Sequence, residues 1–559
     1  MKGSGDMSAI LSDDDELING LGSEVVITKP LPGNHMARTR KRWSSGSADK
    51  KPDVINRLID GVHTDVTKDY ISPGQLYSTE SGRLFHAGKI LIVLVGLPAT
   101  SKTLLSVAIT RYTRWLGVRT RSFHVSEYRR EKVKTERGEV PDDYFSAKPS
   151  SKEGCKFRKD IQDKIIQDMM EFFDAKKGQL AVYDALNILR EDRSFIEKSF
   201  SKMHIKVLFI ESVVTDQELV KRNVELALKS DDYKGWSTKY AEEDFMKRLQ
   251  ANKHLYEEMS PDENLSYVKY INFGEKLTVN NNNYGYLINK IVFFLMNLRD
   301  KKGCVYFARC GTSNKDKYID DEELNEEGLE YSRVLTDLVL EQINKRRLNA
   351  NDTTTPTPEV QRTPSLVSLT ERCKSPLVAT SASLKRSEST GNAMYRQPAS
   401  GDGVDDDSFV VWTAPRKRTY DTAKYFAELG ISVRQRSQLQ QLHPGVVADM
   451  TDEEISEKFP GEYQEYLKDP YHFRFSRAES YHDLAVRMEP LLLEMERMCG
   501  DILIIGHEST LRVLYGYLMA FSCSEIPRLS FTRDELIEIS FGPFENSVKR
   551  IPVRMDWNK

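Results

Sequence analysis

Cysteine is scarce. Six occur in 559 residues (Cys155, Cys304, Cys310, Cys373, Cys499 and Cys523), scattered, with no two at the spacing of a metal site. That argues against a disulfide-stapled scaffold and a cysteine-ligated zinc motif, and reads as reduced thiols in a cytoplasmic protein. Net charge is nearly absent too, at −3, so no bulk attraction to nucleic acid or a lipid surface is expected. Long apolar runs are missing. The most apolar long stretch, YLINKIVFFLMNL at 286–298, holds Asn289 and Lys290 and is too short to span a bilayer. It reads as a buried helix, so no membrane partner is expected. The acidic, polar start of the chain shows no secretory pattern.

One further absence is local. Residues 91–112, LIVLVGLPATSKTLLSVAITRY, read as an apolar strand, a tight turn and the start of a helix. The turn from Gly96 to Thr103 meets the phosphate-cradling pattern G-x-x-x-x-G-K-[ST] at every position but one: Ser101 stands where glycine is expected. In such a loop the backbone N–H groups and the helix N-terminus face phosphate oxygens. Lys102 would reach the β- and γ-phosphates and Thr103 would ligate Mg²⁺. A Cβ at 101 intrudes where backbone and ligand approach closely, so nucleotide binding is expected to be weakened rather than abolished. The competing reading is a structural turn that binds nothing.

The pattern around this loop is regular. Short apolar runs recur at 90–96, 179–185 and 205–212, with helical periods between them; Ile161, Ile165, Ile166, Met169 and Phe173 fall on one helix face. Strands alternating with helices predict a parallel sheet covered on both sides. LAVYDA puts Asp184 at a strand's carboxyl end, where doubly wound sheets carry functional side chains. There it could assist Mg²⁺ or take a proton from an attacking hydroxyl, against the plainer role of a helix cap.

A second such region begins with CVYFARCG at 304–311 and resumes with FVVWTAP at 409–415 and DILIIGHES at 501–509. Between them, residues 348–408 are rich in Ser, Thr and Pro without apolar period, and read as a disordered insertion. Thr-Pro at 355–356, 357–358 and 363–364, and Ser375-Pro376, suit proline-directed kinases, and LKRSES at 384–389 a basophilic one. Their density points to a phosphoprotein with regulatory protein kinases as partners. Residues 1–85 read as a mostly disordered extension, with a basic run from Arg38 before serines. The division is therefore 1–85, a first α/β domain over 86–300, and a second over 301–559 interrupted at 348–408.

VGLPATSKT, FHVSEYRRE, VYDALNILRED, DDYKG and DFMKRL, in this order, resemble the kinase domain of the bifunctional 6-phosphofructo-2-kinase/fructose-2,6-bisphosphatase family. GEYQEY, ESYHDLAVRMEPLLLEMER and LIIGHESTLRVLYGYL resemble its phosphatase domain. The resemblance covers roughly residues 85–345 and 409–540. It implies a P-loop kinase domain with a parallel sheet, followed by a histidine-phosphatase (phosphoglycerate-mutase-like) α/β domain. It implies a kinase that uses ATP and Mg²⁺ to make fructose 2,6-bisphosphate from fructose 6-phosphate, a phosphatase that reverses the step, a role in the regulation of glycolysis, and a homodimer. It puts Gly96, Ser101, Lys102, Thr103 and Asn223 at the nucleotide, Thr103 and Asp184 at Mg²⁺, and Arg129 and Arg248 at the sugar phosphate.

The departures bear on chemistry. Leu186 stands for a sugar-binding Thr, Lys148 for an Arg, Asn252 for a Tyr, and Thr100-Ser101 for Arg-Gly. Losing the Thr hydroxyl leaves its partner unpaired in the complex, at about 1–3 kcal/mol, and Lys lacks the planar fork of Arg. In the second domain the phosphoryl-accepting His of Arg-His-Gly is Cys310, between Arg309 and Gly311; the acidic Glu is Gln441; an Asn is Asp316; His507 remains, with Arg309 and Arg418 as phosphate binders. Cys310 lacks the downstream Arg of a cysteine phosphatase and has Asp316 there instead. Hydrolysis is therefore expected to be lost, leaving a cationic pocket of Arg309, Arg418 and His507 able to hold a sugar bisphosphate uncleaved. Three readings stay open: a fructose 6-phosphate kinase with a dead phosphatase, a regulatory pseudoenzyme that partners an active relative, and a kinase for another sugar phosphate.

Overall fold

A computed structural model describes residues 71–75, 88–136, 140–281, 285–352, 409–542 and 546–555. The basic run from Arg38 and the Ser/Thr-Pro sites lie outside these residues. The first domain is a six-stranded sheet in the order β2-β3-β1-β4-β5-β6, with β1 Ile90–Val95, β2 Thr120–His124, β3 Leu180–Asp184, β4 Lys206–Val213, β5 Tyr267–Ile271 and β6 Lys276–Asn280. Five strands run parallel, as expected, and β6 joins antiparallel at the edge. Its helices are α1 Lys102–Trp115, α2 Val125–Glu136, α3 Lys152–Asp174, α4 Arg190–Ser201, α5 Gln217–Ala227, α6 Thr238–Lys253 and α7 Tyr286–Asn297.

Strand alternation sorts the core into two layers. Ile90, Ile92 and Leu94 face one cluster with α1 and α7; Leu91, Val93 and Val95 face another with Ile161, Ile165 and Met169 of α3. The apolar run at 286–298 forms α7, which buries Leu287, Ile288, Ile291 and Leu295 but leaves Tyr286, Phe293 and Met296 about half exposed. It is thus a one-faced helix rather than a wholly buried one.

The second domain repeats the scheme in the order β12-β11-β7-β10-β8-β9. Its strands are β7 Val305–Arg309, β8 Val410–Thr413, β9 Ser432–Gln435, β10 Ile502–Gly506, β11 Glu535–Phe541 and β12 Asn546–Pro552. β7, β10, β8 and β9 are parallel, and the hairpin β11–β12 joins antiparallel. Its helices are α8 Glu326–Asp352, α9 Lys417–Thr422, α10 Lys424–Glu428, α11 Asp452–Lys458, α12 Pro460–Lys468, α13 Tyr481–Arg497 and α14 Glu508–Leu518. α8 continues past position 348, so helix extends into the start of the expected insertion.

The two domains share one core. The cluster that holds Ile92 and Tyr112 also holds Trp412, Leu492, Ile504 and Tyr517. Tyr112 stacks on Phe294 at 4.4 Å and Trp115 meets Tyr517 edge-on at 5.5 Å. A buried charge cluster lies at the seam: Glu496 accepts from Arg111 and from the Tyr517 hydroxyl, each at 2.7 Å, with the Lys301 ammonium 3.9 Å away. Residues 71–75 depart from the expected disorder of the extension. Gly74 N–H donates to Trp115 in the first domain, while in the second the Tyr471 hydroxyl donates to Pro73 and Cys523 N–H to Ile71. Among the described residues no helix is long and apolar enough to cross a membrane.

Candidate active sites

β1 lies between β3 and β4, so the turn after it opens where the chain order reverses, the usual position of a ligand crevice. Gly96 sits at φ 147°, and a Cβ there would come within 2.5 Å of the Ser212 carbonyl. Ser101 is the N-cap of α1 at φ 60°, ψ 21°, in the left-handed region, and its side chain makes no capping bond. Ala99 is also left-handed, at φ 63°. The loop is fixed from outside: Asn223 donates to the Ala99 carbonyl at 2.8 Å and Ser212 to the Thr100 carbonyl at 2.5 Å. Asn223, expected at the nucleotide, thus holds the loop's backbone.

Lys102 bends over its own loop and donates to the Leu97 carbonyl at 2.6 Å. Burial lowers its ammonium to about 8, with the Asp184 charge opposing. The Thr103 hydroxyl donates to the Asp184 carboxylate at 2.7 Å, across two elements far apart in sequence. His124, at the end of β2, lies 2.9 Å from the same carboxylate oxygen. Burial pushes the Asp184 carboxyl up, but the bond and charge of His124, with Lys102 and Thr103, bring it below its usual range. His124 is raised in turn, since Asp184 outweighs its burial. His124 lies in the FHVSEYRRE stretch, which gave it no role by itself; the β2–β3 register sets it directly beside Asp184.

Lys102, Thr103 and Asp184 open onto a cavity of about 220 Å³, lined also by Leu186, Phe145, Arg129 and Arg248. The two arginines lie over the Phe145 ring, Arg248 at 3.4 Å and Arg129 at 5.0 Å from its centroid. Arg248 pairs with Asp244 at 2.7 Å, and Arg129 and Arg130 pair with Asp232. Burial lowers the Arg248 guanidinium, and its Nε is buried without a hydrogen-bond partner. Asn252 does not face this cavity. It is fully buried, accepts from Ala147 N–H and donates to the Phe145 and Arg248 carbonyls, all at 2.8 Å. It therefore clamps the Phe145 loop to α6 and is not simply a lost sugar contact. Lys148 is exposed and does not line the cavity either.

The second site forms where β7 and β10 end side by side. Cys310 follows β7, wholly buried, its Sγ 3.7 Å from Nδ1 of His507, the N-cap of α14. Burial and then the guanidinium charges of Arg418, Arg309, Arg416 and Arg533 push His507 well below its usual value. Arg309 donates to the Phe531 carbonyl at 2.8 Å and Arg418 pairs with Asp316. Arg533 donates to the Cys310 carbonyl at 2.6 Å. Gln441 is buried near the first turn of α14, where Leu442 N–H reaches the Ser509 hydroxyl at 3.3 Å. Arg416 and Arg533 were missed in the sequence; the first was legible only as part of the basic PRKRT run.

A strand–loop–helix phosphate cradle with Lys, Thr and Asp together, joined through a shared core to a second α/β domain with paired Arg and His at its strand ends, defines a two-domain phosphoryl-transfer architecture. Comparison with known proteins agrees. The model of the 6-phosphofructo-2-kinase family matches residues 77–302, and that of the histidine phosphatase superfamily (branch 1) matches residues 402–554. The Saccharomyces cerevisiae protein YLR345W, whose name assigns it provisionally as a 6-phosphofructo-2-kinase/fructose-2,6-bisphosphatase, is 57% identical, covering 98% of this chain and 99% of its own. Human 6-phosphofructo-2-kinase/fructose-2,6-bisphosphatase 4 is 31% identical over 78% of this chain and 80% of its own. The Saccharomyces cerevisiae fructose-2,6-bisphosphatase is 29% identical over 83% and 88%. The chain belongs to the bifunctional 6-phosphofructo-2-kinase/fructose-2,6-bisphosphatase family.

Proposed function

We propose that the first domain transfers the γ-phosphoryl group of ATP to fructose 6-phosphate or a related sugar phosphate, and that the second domain no longer hydrolyses fructose 2,6-bisphosphate. The observation that carries the kinase reading is the Thr103–Asp184 hydrogen bond beside Lys102 at the head of α1. A hydroxyl and a carboxylate are the hard oxygen donors that Mg²⁺ selects. Thr103 and Asp184 would hold it, and when bound it neutralises charge on the β- and γ-phosphate oxygens. Lys102, now on the Leu97 carbonyl, has a short move to make to the phosphates. The N–H groups at the head of α1 orient the triphosphate. Arg129 and Arg248 hold the acceptor's phosphate, and Phe145 beneath them keeps both guanidiniums in place. The acceptor hydroxyl oxygen forms the new P–O bond as the bond from the γ-phosphorus to the β–γ bridging oxygen breaks, ADP leaves, and the hydroxyl proton passes to the Asp184 carboxylate or to water.

Leu186 presents an alkyl group to the cavity, which supports a weaker or altered sugar contact. In the second domain no imidazole stands at position 310 to take the phosphoryl group, and Gln441 has no proton to give a leaving alkoxide. The test is ATP binding and product formation by the purified protein with fructose 6-phosphate and a panel of sugar phosphates, against Lys102→Ala. Loss of a charge-assisted contact predicts about 10–100-fold weaker ATP binding in that variant. ATP binding without turnover on any acceptor refutes the kinase reading in favour of a regulatory pseudoenzyme. Phosphate release from fructose 2,6-bisphosphate that vanishes in Cys310→Ser refutes the reading of the second domain.

A further inference from the structure

Four guanidiniums act on His507, from the end of β7 (Arg309), the head of α9 (Arg416 and Arg418) and the segment before β11 (Arg533). Such convergence suits a phosphoryl dianion. Three nitrogens there are buried without a hydrogen-bond partner: Nε of Arg309, Nε of Arg418 and Nε2 of His507. These residues are only 7%, 3% and 3% exposed, so water does not satisfy them freely, and unpaired buried donors are costly. One carboxylate already stands among them. Asp316 pairs with Arg418, and its charge reaches Arg533. Glu508 lies at the rim, 3.3 Å from Arg309 and 2.9 Å from Arg512.

Asp316 is held in that position. It sits at φ 50°, a left-handed conformation that Asp and Asn tolerate better than other residues with a Cβ. The loop that carries it is pinned on both sides, by Lys315 N–H to Glu322 at 3.0 Å and Tyr318 N–H to Asp449 at 2.6 Å. Its carboxylate is therefore a fixed anion on the guanidinium that an incoming phosphate would need.

We propose that the second domain is a phosphate-monoester site kept shut by its own side chain: Asp316 takes the place of a phosphate oxygen on Arg418, and neutralising position 316 opens the site to a phosphoryl group that is then held uncleaved. Asparagine at 316 keeps the backbone conformation and the size of the side chain while removing the competing charge. The last clause rests on the reading of the second domain as non-hydrolytic; the closure does not.

The test titrates inorganic phosphate into the full-length protein by calorimetry, for the wild type, Asp316→Asn, Asp316→Ala and Asp316→Asn with Arg418→Ala. Circular dichroism and thermal unfolding check that each is folded. Phosphate is expected to bind the two single variants at least about tenfold tighter than the wild type, since a charge-assisted pair is exchanged for one with the ligand. The gain is expected to vanish in the double variant. Equal affinity in the wild type and both single variants overturns the closure, as does a gain that survives loss of Arg418. Phosphate release from a phosphomonoester is measured separately. Release by Asp316→Asn overturns the non-cleaving clause while its tighter binding upholds the closure.

Discussion

Replacing Ser101 by glycine separates the two burdens that this residue places on the nucleotide loop. The first is conformational. A residue with a Cβ held at φ 60°, ψ 21° costs about 1–2 kcal/mol relative to the right-handed region. Glycine escapes that cost, but returns about 0.5–1 kcal/mol through the greater freedom of the unfolded chain. The free protein should therefore gain about 0.5–1 kcal/mol in stability, with no cap lost, because the serine side chain makes no capping bond. The second burden is steric and acts only when a triphosphate lies against the loop. Its removal should improve ATP affinity by about 3–10-fold, or ~0.7–1.4 kcal/mol. The assay is calorimetric titration with ATP and Mg²⁺, paired with thermal unfolding of the free protein. Ala99→Gly is the comparison, since it is equally left-handed at φ 63° but its side chain packs against the cluster of Val224, Tyr233, Ala241 and Phe245; its gain should be smaller. Weaker ATP binding by Ser101→Gly would refute the reasoning, for it would make the serine hydroxyl a phosphate ligand and not an obstruction.

Leu186→Thr restores a hydroxyl to the cavity wall and should lower KM for fructose 6-phosphate about 5–10-fold, the worth of one hydrogen bond of ~1–1.4 kcal/mol, with little change in kcat; steady-state kinetics check it. Asn252→Ala removes three bonds that fix the Phe145 loop and leaves Ala147 N–H unpaired, so denaturant unfolding should show a loss of about 1–3 kcal/mol. Burial pushes Glu496 up, but Arg111 and Lys301 hold its carboxyl below its ordinary value of 4.5. The unfolded chain therefore binds more protons in acid, so this contribution to stability is complete above pH 4.5 and lost as pH falls below it. Urea unfolding across pH 3–7 should show that limb, and Glu496→Gln should flatten it while costing about 3 kcal/mol at neutral pH by stranding two buried cations.

Much of this architecture was readable where the signal is local. The runs at 90–96, 179–185 and 205–212 became β1, β3 and β4, and Ile161, Ile165 and Met169 became the buried face of α3. Asp184 fell beside Thr103 because a strand's carboxyl end and a helix head meet at fixed places in a parallel sheet. What escaped was set by distant pairing. His124 gains its role only through the β2–β3 register, and Arg533 reaches the second site from a segment more than two hundred residues beyond β7. β6 (KLTVN) and β11 (ELIEISF) are less apolar than the wholly buried β1, β3 and β10, but stretches this short carry no signal for the direction in which they pair. Asn252 looked like a missing ligand because substitution shows which group has gone, not where its replacement will turn.

The seam between the domains bears on how such a chain can change over time. Trp115 meets Tyr517 of the second half, and Tyr112 and Phe294 lie in the one cluster that also holds Leu492 and Tyr517. Cutting the chain between Leu298 and Val305 would lay that surface bare on both fragments and strand Arg111 without its carboxylate. The second half is thus a permanent wall of the first one's interior, and point substitutions at its strand ends disturb the fold far less than its deletion would.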